Sequence, residues 1–273
     1  MSTSKTTPAD SRLDDPAFPR SDEEFDPVEA YQMPLMEHLR ELRRRLIVSM
    51  VTLAIGCCVA FVYVDDIWGF LVKPMNEALA TSGRGSMGVT GVLEAFLTQL
   101  KVAALAGALG TSPILSWQIW RFVAPGLYPN EKRLVIPLVF SSTSLFLGGA
   151  AFAYAVIFRF AFPFFIEIAP EDVEHLIKIE NYLGLATRLL LAFGVCFQLP
   201  VVAFFLARAG LIDARDMFQF IRYAIVGIFV LSAMLTPPDV VSQLLMAAPM
   251  TVLYFVGIVV AWLFTTKERP AES

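Results

Sequence analysis

Six apolar runs constrain this chain more than any other feature. They cover about residues 46–64, 96–120, 134–158, 182–207, 223–235 and 240–264. A bilayer core of about 30 Å takes about 20 apolar residues of helix to cross. The expected fold class is therefore an all-α integral membrane protein with six transmembrane helices, both termini on the inner side, and helices five and six short. The fifth run has thirteen residues, roughly 20 Å of helix at 1.5 Å per residue. A span that short thins the bilayer or leaves a hollow for a partner, unless neighbours such as Ile221 lengthen it. Thr236-Pro237-Pro238-Asp239 separates the last two runs and predicts a tight turn, because a proline pair cannot continue a helix.

Lys and Arg set the expected orientation. One side carries twelve: Arg40, Arg43, Arg44, Arg45, Arg121, Lys132, Arg133, Arg208, Arg215, Arg222, Lys267 and Arg269. The other carries four: Lys73, Arg84, Arg159 and Lys178. The richer side is expected to be cytoplasmic. The formal charge of −4 hides this division, because residues 1–30 hold eight acids and three bases. Residues 1–32 are expected to form a disordered acidic cytoplasmic tail. The membrane domain then covers 33–264, and 265–273 form a short cytoplasmic tail. Between spans one and two, Asp65–Leu79 mixes aromatics with charge, as an interfacial segment does. Residues 83–88 predict a flexible turn, and the acids at 171–174 a short outer helix.

The composition is 56% apolar and 17% charged, against about 45–50% and 25% for soluble chains. That excludes disorder, a basic nucleic-acid binder and an ordinary soluble enzyme. Cys57, Cys58 and Cys196 lie in apolar runs, and His38 and His175 are far apart. No ligand spacing suggests a metal, and no glycine-rich loop or nucleophile elbow suggests a cofactor or a hydrolase.

Charge inside the spans is scarce. Lys101 and Arg188 lie close enough to the outer ends to snorkel. Gln198 is the strongly polar group nearest mid-membrane. It predicts either a hydrogen bond between helices or a polar point on a concave face that admits a ligand.

Two segments at the basic end are more informative. In Met33–Arg45, Leu35, Leu39, Leu42 and Leu46 form an apolar stripe entering the membrane, and Pro34 suits a helix start. In Trp120–Arg133, bases alternate with aromatics. Positive-inside ordering accounts for the bases of both segments. It does not account for the acids Glu41 and Glu131. Glu41 either pairs with Arg44 or Arg45 on its own helix or is offered to an incoming cation. Two carboxylates on one side suit two guanidinium groups, each making a planar, two-pronged contact that lysine cannot copy.

HLRELRRRL at 38–46, QIWRFVAPGLYPNEKR at 118–133, FGVCFQLPV at 193–201 and MLTPPDVVSQ at 234–243 resemble the TatC family. The resemblance runs in order from about Met33 to Phe264. It implies a six-span core subunit and signal-peptide receptor of the twin-arginine translocase in a bacterial inner membrane, and no enzyme. Its partners would be the twin-arginine signal peptides of folded precursors, single-span TatA- and TatB-type subunits, and other copies of itself. Export would be driven by the proton-motive force. The family's signal-peptide residues fall on Glu41, Arg43, Phe122 and Glu131. Its outer-loop proline falls on Pro74, and its Pro-Pro-Asp turn on Pro237, Pro238 and Asp239. Span five and Gln243 would help dock the single-span partners. Some members carry Glu where this chain has Gln198, which weakens any role there that needs a proton or a negative charge.

A small-solute secondary transporter is the alternative. It predicts a mid-membrane charge pair and an internal repeat, and the sequence shows neither. An intramembrane hydrolase would need a catalytic pair at depth, and none of the required side chains is available there.

Overall fold

The computed structural model describes residues 27–83, 85–89, 91–127, 135–168, 176–236 and 239–264. Helix α1 (Pro27–Val62) starts on a proline, whose missing N–H costs nothing in a first turn. It therefore takes in residues 27–32, which the composition assigned to the tail. Residues 1–26, the acids at 171–174 and the C-terminal tail lie outside the described residues.

The chain divides into two units, residues 1–44 and 45–273. In the first, side chains 36–44 along α1 are exposed. The second holds the rest of α1, then α2 (Val64–Ser82), β1 (Ser86–Gly88) and α3 (Val92–Leu127). Next come α4 (Val135–Phe152), a π-helical turn (Ala153–Ile157), α5 (Phe158–Glu167) and β2 (Leu176–Lys178). The chain continues with α6 (Ile179–Cys196), α7 (Leu199–Arg208), α8 (Ala214–Gln219), α9 (Ile221–Leu235) and α10 (Val240–Phe264).

Among the described residues, five stretches are long and apolar enough to cross a membrane: 36–62, 93–123, 135–167, 179–208 and 240–264. The shorter α9 is the sixth apolar helix. Span five is short as expected, at 15 residues. Span six is not: α10 has 25 residues, about 37 Å of helix. Span three also runs past the expected end near Phe158. Arg159 is exposed there, and a base at a helix surface reaches for water without ending the helix.

Helix packing relies on missing side chains. A Cβ on Gly149 would lie 2.5 Å from the Phe193 carbonyl oxygen, so α4 and α6 are in backbone contact. A Cβ on Gly107 would lie 2.6 Å from the Cys57 backbone nitrogen, which brings α3 equally close to α1. Such contacts replace the hydrophobic drive that lipid removes from helix association. Phe158, Phe162, Phe193, Leu183, Leu189 and Met246 are fully buried and form the centre.

At one end, α2 lies against α5, with Leu71, Val72 and Met75 buried. Beside it, β1 and β2 form a parallel ribbon that the sequence did not suggest, with Met87 opposite Ile177. Gly83 closes α2 at φ 65°, and its N–H donates to the Leu79 carbonyl at 2.9 Å. Left-handed backbone at a helix end favours glycine.

Pro74 lies inside α2 and has no N–H for the Phe70 carbonyl. Tyr154, in the π turn, donates its hydroxyl to that oxygen at 2.7 Å and stacks on Phe70. The buried Tyr182 donates to the neighbouring Leu71 carbonyl at 2.6 Å. Tyr154→Phe is expected to cost about 1 kcal/mol in thermal unfolding, the net worth of one such bond. With Pro74→Ala already present, residue 74 supplies the missing donor, and Tyr154→Phe is expected to cost close to nothing. Equal costs in both backgrounds would show that the proline does not call for the tyrosine.

Candidate functional site

The candidate residues fall into three groups. Glu41 and Arg43 lie in the first unit, both exposed on α1. The apolar stripe beside them is exposed too, with Leu39 and Leu42 open along the same helix.

The second group lies in residues 45–273, where spans two, three and four meet. Trp120, near the end of α3, is buried with Leu138, Val201 and Phe205. Its indole N–H donates to the Ser142 hydroxyl at 2.6 Å, and its ring meets Phe205 edge-on at 5.0 Å. Trp120 thus anchors the last turns of α3 to α4 and α7. The next residue, Arg121, is exposed, and Phe122 is half-buried. Glu131 lies outside the described residues.

Ser142 also fixes Gln198. The Gln198 side-chain amide donates to the Ser142 carbonyl at 2.8 Å. Span four is broken at this point, between α6 and α7. Pro200 has no N–H to give Cys196, and the Gln198 N–H turns to the Val195 carbonyl at 2.9 Å. Of the two expectations for Gln198, the structure contains the hydrogen bond between helices. The side chain is half-buried.

Pro74, Asp239 and Gln243 form the third group, at the end that carries α2 and the ribbon. Pro74 lines a cavity of about 900 Å3 together with Lys73, Glu77, Tyr154 and Arg159. Asp239 caps α10: its carboxylate accepts from the Ser242 N–H at 2.7 Å and from the Ser242 hydroxyl. A carboxylate at a helix N-terminus satisfies a free N–H and faces the positive end of the dipole. Gln243 reaches across to the Phe229 carbonyl of α9 at 3.1 Å, tying the short span to the last. Pro237 and Pro238 lie outside the described residues.

Sequence reasoning missed Ser142, Tyr154 and Tyr182. The signals were present but faint. Ser141-Ser142-Thr143-Ser144 is a hydroxyl run inside an apolar span, and a proline within a helix always leaves a carbonyl to be matched.

The model of the family described as Sec-independent protein translocase protein (TatC) matches residues 37–249. The chain is 39% identical over 246 residues to the protein of that name from Desulforapulum autotrophicum, covering 90% of each. It is 38% identical to the one from Carboxydothermus hydrogenoformans, over 90% of this chain and 99% of the other. For the Helicobacter pylori protein the identity is 40%, over 88% and 93%. A crystal structure of a twin-arginine translocase receptor, TatC, superposes with a TM-score of 0.76 at 33% identity. It covers 84% of this chain and all of the solved one.

Proposed function

The chain belongs to the TatC family, a translocase component and no enzyme, and on that footing we propose that it captures twin-arginine signal peptides with Glu41 and Glu131 while acting as the membrane core subunit of the translocase. The observation that carries the proposal is the placing of two acids within the basic clusters of family-matched segments, Glu41 exposed on α1 and Glu131 next to Lys132 and Arg133. Each carboxylate accepts one guanidinium in a two-pronged contact. Arg43 orients the first acid, and Phe122, held by the Trp120 anchor, offers a ring to the peptide.

The basic end is the cytoplasmic one in this reading, because Lys and Arg concentrate there. The apolar part of the signal peptide then inserts along the bundle past Gln198, which offers it a hydrogen bond and no charge. The short α9, tied to α10 through Gln243, leaves room for single-span TatA- and TatB-type partners, and Pro74 and Asp239 shape the opposite end.

Site-specific crosslinking tests the first step. A photoreactive residue at Phe122 is expected to label a precursor with an Arg-Arg signal peptide several-fold more than one with Lys-Lys. Equal labelling would remove Phe122 from the receptor site.

A further inference from the structure

Two bases within the spans meet in one cavity at the ribbon end. Lys101 of α3, with Glu180 and Arg188 of α6, lines a space of about 880 Å3. The Lys101 ammonium donates to the Glu180 carboxylate at 2.7 Å, so these two charges answer one another. Arg188 lies eight residues further along α6, two turns deeper into the span, and is exposed. Among the described residues no carboxylate or carbonyl accepts from it. The described lining therefore carries two cations and one anion. The remaining wall is largely apolar, with Leu79, Phe165 and Leu185 along it.

A base this far inside a span is costly unless it is paired or wet, and it marks a binding site by default. We propose that the cavity binds the headgroup of an anionic phospholipid. The phosphate takes the guanidinium of Arg188 in a planar, two-pronged contact and lies within reach of Lys101, while the acyl chains run along the apolar wall. The apolar wall favours a lipid over a free anion. A phospholipid carries its own hydrocarbon to lie on that wall, which a soluble phosphate lacks.

The full chain, reconstituted in nanodiscs of phosphatidylcholine with a minor share of phosphatidylglycerol, is released into a native mass spectrometer and its retained lipids are counted. Wild type is expected to retain phosphatidylglycerol over phosphatidylcholine. R188Q is expected to lose that preference by about tenfold, the effect of one charge-assisted contact. R215Q, which removes a base outside the cavity, is expected to change nothing. K101Q guards against a folding defect in R188Q. It frees Glu180 to neutralise Arg188, and is expected to lower retention while the melting temperature holds. Equal retention by wild type, R188Q and K101Q would overturn the site. So would equal retention of the two lipids by wild type. Displacement by glycerol phosphate at the same concentration as the lipid would overturn the lipid assignment in favour of a soluble anion. Loss of a single-span subunit from R188Q with lipid retention unchanged would overturn it in favour of a partner's carboxylate.

Discussion

Glu131→Ala is expected to abolish capture of a twin-arginine signal peptide while the protein still assembles in the membrane. Along the sequence, Glu131 is followed by Lys132 and Arg133, with Arg121 earlier in the same segment. Without the carboxylate, the segment 120–133 carries bases alone, which repel the incoming arginines. Removing one partner of a hydrogen-bonded charge pair typically costs about 2–5 kcal/mol, a loss in affinity of about thirtyfold or more. Fluorescence anisotropy with a labelled Arg-Arg peptide measures it, with a Lys-Lys peptide as reference. Glu41→Ala is expected to weaken binding less, because Arg43 must also orient that part of the site. Unchanged affinity in Glu131→Ala would remove the central residue of the receptor.

Gly149→Ala is expected to be among the most damaging one-carbon changes in the bundle. Alanine in place of glycine normally stabilises a helix by about 1 kcal/mol. At position 149 the new carbon would lie 2.5 Å from the Phe193 carbonyl oxygen and 2.9 Å from its carbon. Neither backbone atom can move aside alone, so spans three and four must part. Overpacking of this kind costs typically about 1–3 kcal/mol, which outweighs the helix gain. Gly257→Ala is the matched control, because its nearest atom lies at 3.5 Å and the helix gain stands unopposed. Thermal unfolding in detergent is expected to place Gly149→Ala below wild type and Gly257→Ala level with it or above. The reverse order would mean that the α4–α6 contact does not hold the bundle together.

The sequence by itself determined the number of spans, the shortness of the fifth, the basic character of one end and the odd placing of Glu41 and Glu131. These are one-dimensional facts: the bilayer fixes how much apolar helix a span needs, and loop charge requires no fold to be counted. It also carried the four motifs by which the family could be recognised. It misjudged the end of span three, because a single base interrupts hydropathy without interrupting hydrogen bonding, and it counted span six as short although α10 has 25 residues. The tertiary structure alone supplied the hydrogen-bond partner of Gln198, since the Ser142 carbonyl is 56 residues away. It alone decided that Tyr154 matches the carbonyl left by Pro74, and that Lys101 shares one cavity with Arg188. In the sequence those bases are two separate snorkelling side chains. Only when α3 packs beside α6 do they share a cavity, and pairing Lys101 with Glu180 leaves Arg188 as its remaining charge.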